Sequence, residues 1–288
     1  MGNKLLFIDA MNLVFRAYFA FVKRPLRTTE GFNTGAIFGF VKMVRKALEE
    51  VEPTHVAVAF EGGLTFRNEL YPEYKANRAD APDDLKAQVE PVKEVARAMG
   101  IPVLEVPGAE ADDVIATLSK RAEGFDEVVI LSGDKDLMQL VNDRVNVLAP
   151  KSGVSEIEEL GPEQVREKMK VEPDQVRDLL ALAGDSSDNV PGVPGVGNKT
   201  AANLLYILAG RATKKSGPGR RFWWLSGAAK CNKPPPRTEH QSVASFCRSW
   251  MISALVGSAS TEPNFVQARA PAAEANLTAS FISSLTAQ

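Results

Sequence analysis

Four short apolar runs decide what this chain can fold into. They are "KLLFIDA" (4–10), "HVAVAFEGG" (55–63), "IPVLEV" (101–106) and "DEVVILSGDKDL" (126–137). The first suits a strand buried on both faces, the second reads as another buried strand, and the third and fourth hold further strands. Helical spacing fills the gaps. Ile37, Val41, Val44 and Leu48 follow Thr34, a natural N-cap. Residues 64–100 are polar and helix-prone with proline breaks, and 111–122 reads as a further helix. "RVNVLAP" predicts another strand, closing near Pro150. Strands alternating with helices imply an α/β fold, a parallel central sheet with helices on both faces. After Gly161 the signal is purely helical, over 162–169, 173–183 and 198 to about 208.

The strand ends carry acids. In an open parallel sheet the carboxyl ends of the strands share one edge, and sites form there. Asp9 ends the first run and Glu61 the second. Glu110, Asp112 and Asp113 lie just beyond the third, and Asp134 and Asp136 just beyond the fourth; Asp185 and Asp188 follow in "AGDSSDN". A helix dipole favours acids in its first turn by about 0.3–1 kcal/mol each, which accounts for 110–113 alone. It does not account for four successive strand ends. Two like charges about 5 Å apart cost on the order of 3 kcal/mol at an effective dielectric of about 20, so protons or cations must neutralise such a group. Carboxylate oxygens without histidine or cysteine suit Mg²⁺ or Mn²⁺. Paired ions of this kind serve in-line attack of water on a phosphodiester.

Other chemistries find little support. The only histidines are His55 and His240, and His55 begins a strand, where a structural role is expected, so a histidine-based triad is disfavoured. Cys231 and Cys247 form neither a disulfide framework nor a zinc site. "GVPGVGNKT" lacks the strand and the Gly-Lys step of a phosphate loop. It reads instead as a hairpin between helices, with Gly192, Gly195 and Gly197 bringing backbone N–H groups to a phosphate ahead of Lys199 and Thr200. No apolar run approaches a membrane span and no signal peptide is read, so a cytoplasmic protein with no membrane partner is expected.

Five stretches carry a resemblance: "FIDAMNLVFRAYFA", "TFRNELYPEYKANR", "PGAEADDVIATL", "LSGDKDLMQLV" and "LAGDSSDNVPGVPGVGNKTAANLL". Their order and spacing closely resemble the bacterial 5′-nuclease family, the 5′→3′ exonuclease domain of DNA polymerase I and stand-alone flap endonucleases and exonucleases, over residues 3 to about 205. The resemblance implies a PIN-like catalytic domain over 1–161 with a helical arch at about 64–100. A helix-3-turn-helix DNA-binding subdomain over 162–210 would follow. It implies two or three Mg²⁺ (or Mn²⁺) ions, a first group at Asp9, Glu61, Glu110 and Asp112, and a second at Asp113, Asp134, Asp136, Asp185 and Asp188. Arg16 would contact the scissile phosphate. Lys75 and Arg78, joined by Arg67, would steer the 5′ strand; these cations also fit the need to offset an acidic pocket that must attract DNA. Phe15 and Tyr74 could stack on an unpaired base, with core packing the competing reading for Phe15. For Arg67 the competing reading is a salt bridge to Glu69 or Glu73. A monovalent cation at the 192–197 hairpin and a monomeric state are further expectations. The implied partners are DNA with 5′ flaps, nicks or gaps, or RNA-primer 5′ ends, together with a DNA polymerase.

Two features depart from the family. Glu61 stands where the family has Asp, which shifts the carboxylate by about 1.5 Å, and placement errors of about 1 Å can cost about 100-fold in rate. The chain also changes character near Leu205. Residues 1–205 carry a net charge of −9 and residues 206–288 of +7, and the latter hold every Trp and Cys. This stretch has the look of a changed reading frame or an unrelated fusion, no polymerase domain is read after it, and 211–288 is expected to be a weakly packed or disordered tail. Two alternatives stay open, a DNA-binding homologue with impaired catalysis and a PIN-like ribonuclease.

Overall fold

The structure is a computed structural model that describes residues 2–215; the tail expected over 211–288, with His240 and both cysteines, falls outside the described residues from 216 onward. Strands β1 (Lys4–Asp9), β2 (His55–Phe60), β3 (Val103–Glu105), β4 (Glu127–Leu131), β5 (Val145–Ser152) and β6 (Glu156–Leu160) form one sheet in the order β3-β2-β1-β4-β5-β6. The first five are mutually parallel. The edge strand β6 returns antiparallel from β5. It was not legible beforehand, because "EIEEL" is acidic and carries little apolar alternation.

β1 is buried on both faces, as its continuous apolar run requires: Leu5, Leu6, Phe7 and Ile8 are all buried. Leu6 and Ile8 join Leu13, Val14 and Ala17 of α1 (Ala10–Phe21), Phe40, Met43 and Val44 of α2 (Gly35–Val51), and Leu85 and Val92 of α4 (Asp83–Ala98) in one core. The opposite face is covered by α5 (Ala111–Arg121), whose Val114, Ile115 and Leu118 are buried. Between β2 and α4 the chain makes only a one-turn helix, α3 (Phe66–Leu70), and then irregular turns to Pro82.

Three side chains anchor the base of α4. Tyr18 Oη donates to Asp84 Oδ1 at 2.7 Å, Asn33 Nδ2 donates to Asp84 Oδ2 at 2.9 Å, and Gln88 Oε1 accepts from the backbone of Ala36 at 2.9 Å. Each pairs a buried or half-buried polar group that would otherwise cost stability.

Beyond the sheet come α6 (Pro162–Met169), a 3₁₀ turn (Pro173–Gln175) and α7 (Val176–Ala183). The expected all-helical segment is interrupted by a two-residue antiparallel ribbon, β7 (Gly184–Asp185) with β8 (Val190–Pro191). So short a ribbon shows no period-2 pattern. The last described helix, α8 (Asn198–Lys215), runs past the expected end near Leu208. Among the described residues no helix is long and apolar enough to cross a membrane.

Candidate active site

The winding of the sheet brings the acids together. The chain steps outward from β1 to β2 to β3, then returns to place β4 on the other side of β1. β1 and β4 therefore flank the switch point of a parallel sheet, where the loops part and leave a crevice. Asp9, at the end of β1, is 4% exposed and caps α1, its Oδ1 accepting from the Asn12 backbone at 3.2 Å. Glu61 follows β2 directly. Glu110 is the N-cap of α5 and Asp112 lies in that helix's first turn. Asp134 follows β4, its Oδ1 accepting from the backbone of Asp136 at 2.9 Å.

Crowding shows in the proton affinities. Burial raises Asp9 to about 6, against hydrogen bonds from Ser132 and Asn12 that lower it, with Asp134 adding repulsion. Asp112 is held well above the carboxylate range by burial and then by Asp9, Asp134, Glu61 and Asp136. Asp136 is raised to about 6 by burial, Asp134 and Asp185. Glu61 is exposed as a residue, yet protein crowds water from its carboxyl and raises its pKa; Lys75 pulls down while Glu110 and Asp9 push up. In the metal-free protein Asp9 and Asp136 thus hold protons up to about pH 6. The folded state binds more protons than the unfolded chain between about pH 4 and 6, so their contribution to stability falls as pH rises through that window. Asp84 and Asp185 are lowered instead, and lose stability only under more acid conditions. Protein in EDTA is therefore expected to melt at a higher temperature at pH 5 than at pH 7, and saturating Mg²⁺ is expected to shrink the difference. Thermal unfolding across that pH range measures both.

The second expected group assembles in part. One carboxylate oxygen each from Asp136, Asp185 and Asp188 lie within 4.8 Å of one another. Asp136 Oδ1 is buried without a hydrogen-bond partner. Asp185 is pushed up by burial, but hydrogen bonds from Ser187 and Lys135 outweigh this and lower it. Of the other two, Asp134 stands beside Asp136 and Asp113 is engaged elsewhere. Asp113 has both oxygens engaged by Arg67, at 2.6 and 2.8 Å, and also accepts from the backbone of Glu110 at 3.4 Å.

The segment from 67 to 78 lies across these acids. Lys75 Nζ donates to Glu110 Oε1 at 2.9 Å. Arg78 pairs with Asp188 and donates from Nε to Ser187 O at 3.1 Å. Tyr74 is 5% exposed, and its hydroxyl contacts Glu110 Oε2 at 3.1 Å and Asp188 Oδ2 at 2.8 Å. A ring so enclosed is not presented for base stacking, which corrects that expectation for this conformation. Phe15 packs half-buried against the core, and its neighbour Phe19, 56% exposed, presents the open ring. Arg67 pairs with Asp113 rather than Glu69 or Glu73.

Arg16 projects from α1 beside Gly133 and lines a cavity of about 340 Å³ with Asn12, Phe19, Ala20 and Gly153; its Nε is buried without a partner. Gly192 closes against the backbone of Ala183, and Gly195 takes a left-handed turn with φ +78°. Lys199 and Thr200 are exposed in the first turn of α8, next to Gly197. His55 stacks edge-on with Phe125 at 5.1 Å, a structural placement. Sequence reasoning passed over Ser132, Asn12 and Lys135. Their signal was adjacency alone, each within three residues of a strand-end acid.

An all-carboxylate set in which burial raises the proton affinity of Asp9, Glu61, Asp112 and Asp136, with an unsatisfied buried oxygen on Asp136, fits hard divalent cations. Comparisons with known proteins show the family and the fold. Residues 4–170 match the family described as 5′-3′ exonuclease, N-terminal resolvase-like domain, and residues 171–209 match 5′-3′ exonuclease, C-terminal SAM fold. The chain is 48% identical over 204 residues to DNA polymerase I of Mycobacterium bovis, covering 70% of this chain and 22% of that protein. It thus spans about a fifth of the length of the curated relatives it matches. In fold it is similar to the 5′-exonuclease of bacteriophage T5 with zinc bound (TM-score 0.59, 24% identity, 79% of this chain and 86% of that one). It is also similar to a bacteriophage T5 flap endonuclease in a complex with DNA and metal ions (TM-score 0.60, 21% identity, 99% and 100%).

Proposed function

This chain belongs to the 5′-3′ exonuclease family, and from that premise we propose that it is a metal-dependent nuclease hydrolysing DNA phosphodiesters at 5′ ends and 5′ flaps. The observation that carries the reading is the convergence of Asp9, Glu61, Glu110, Asp112, Asp134 and Asp136 on one sheet edge, with cations poised around it. Asp9, Glu61, Glu110 and Asp112 would hold one divalent ion, and Asp134, Asp136, Asp185 and Asp188 another, with Mg²⁺ the expected species. Ions so held would supply Lewis-acid activation of water and charge stabilisation at the phosphodiester.

The protein's own groups do the rest. Arg16, with an uncommitted Nε, would donate to a phosphate oxygen entering beside Gly133. Lys75 and Arg78, paired with Glu110 and Asp188, would present their charge to the phosphates of the strand being cut. Arg67 would orient Asp113 and the first turn of α5. The 192–197 hairpin, with Lys199 and Thr200, would hold the duplex through backbone phosphates, a contact blind to sequence. A polymerase acting beside it would fill the gap that 5′ removal opens.

A panel of 5′-flap DNA, nicked duplex and single-stranded RNA in Mg²⁺ tests the reading. Cleavage near the flap junction with the RNA left intact is expected; preferential RNA cleavage would favour a PIN-like ribonuclease and sink the proposal. The second reading, a DNA-binding homologue with impaired catalysis, rests on Glu61. Glu61→Asp is expected to raise single-turnover flap cleavage several-fold, given the sensitivity to placement. An unchanged or lower rate would show that the edge is already fitted to glutamate.

A further inference from the structure

Ser132 joins the two strands that flank the crevice. It follows the last residue of β4 and is fully buried, and its backbone N–H donates to Leu148 O of β5 at 3.2 Å. Its hydroxyl donates to Asp9 Oδ2 at 2.7 Å and accepts from the Asp134 backbone at 3.0 Å. A hydroxyl carries one proton. With the Asp134 N–H pointing at its lone pair, that proton is committed to Asp9. Asp9 is thereby held by one hydrogen bond on each oxygen, from Asn12 and from Ser132, and each oxygen keeps lone pairs for a further ligand. The same hydroxyl sets the backbone from which the Asp134 side chain departs.

We infer that Ser132 is a positioning residue that fixes the Asp9 and Asp134 carboxylates relative to one another for divalent-cation binding. The inference rests on the metal-dependent reading proposed above. A hydroxyl placed only to satisfy a turn would serve the Asp134 N–H and need not reach across to β1. Here it spans 123 residues of sequence to a second acid. Groups that orient ligating carboxylates typically govern metal affinity by about 10- to 100-fold.

The test is Mn²⁺ binding to the full chain without DNA, followed by electron paramagnetic resonance, for wild type, S132A, S132T and S132C. S132A removes one oxygen and is expected to fold, which circular dichroism checks, and to weaken Mn²⁺ binding by about 10- to 100-fold. S132T keeps the hydroxyl and is expected within about threefold of wild type. S132C is close in size but a poor donor, so it is expected to bind as weakly as S132A; it decides the matter should threonine's methyl prevent folding. Wild-type affinity in folded S132A or S132C would overturn the role of Ser132 and leave the metal reading standing. A wild-type chain that binds no Mn²⁺ would remove that reading, and this inference with it.

Discussion

Asp112→Asn is expected to make the metal-free protein more stable while abolishing its activity. Asp112 is the acid on which the others converge, its carboxyl repelled by Asp9, Asp134, Glu61 and Asp136 in a setting that already disfavours charge. Asparagine keeps the shape and removes the charge. Relieving one like-charge pair at about 5 Å is worth on the order of 3 kcal/mol at an effective dielectric of about 20. Protonation already relieves part of this, so a gain of about 1 kcal/mol is expected, or about 2–4 °C in midpoint. Flap cleavage should fall by at least about 100-fold, beyond the 10- to 100-fold typical of losing a group that only supports a ligand. Thermal unfolding in EDTA and single-turnover cleavage in Mg²⁺ measure the two effects. A destabilised variant, or one retaining a tenth of the rate, would mean that Asp112 serves the fold rather than the metal.

The second large effect is expected at Gly62. A Cβ there would sit 1.8 Å from Val106 O, 2.5 Å from Val106 C and 3.0 Å from Ala109 O, all backbone atoms that cannot swing aside. The same residue is tied on both sides, its N–H donating to Ala109 O at 3.1 Å and its carbonyl accepting from Gly108 at 3.3 Å. These bonds lock the loop after β2 to the loop after β3, and so Glu61 to Glu110. Gly62→Ala must part the two loops. A loss of about 3 kcal/mol is expected, at the upper end for overpacking, with a fall of roughly 6–12 °C in midpoint. Gly63→Ala is the comparison: nothing lies within 4 Å of its Cβ, and only its φ of +91° resists substitution, so a loss of about 1–2 kcal/mol is expected. Calorimetry that ranks Gly63→Ala as the more damaging would contradict the described packing.

These effects also mark what could be read from the sequence. The strands and their terminal acids were legible because a strand buried on both faces leaves a continuous apolar run, with Asp9 closing the first run and Asp134 three residues past the end of β4. The convergence of the acids followed from one topological rule. What stayed hidden depends on the path of irregular chain. Arg67 has Glu69 and Glu73 close by in sequence, yet the turn after β2 carries it to Asp113, 46 residues away. Tyr74 has a polar tip and an aromatic body, and nothing in its neighbours tells whether the ring faces solvent or, as here, is sealed between Glu110 and Asp188. The β7–β8 ribbon is too short for any periodicity. Ser132 is one small residue in an acidic loop, distinguished only by where its hydroxyl lands.

The carboxylate edge as a seat for divalent ions is the central claim, and cleavage of a 5′-flap DNA under single-turnover conditions addresses it most directly. The protein, stripped with EDTA, is mixed with flap DNA, and Mg²⁺ is then added in excess of the chelator. No cleavage is expected before the addition and full cleavage near the flap junction after it, with Asp134→Asn silent under both conditions while still binding the DNA. Undiminished cleavage in excess EDTA, or an Asp134→Asn chain that cuts as fast as wild type, would contradict it.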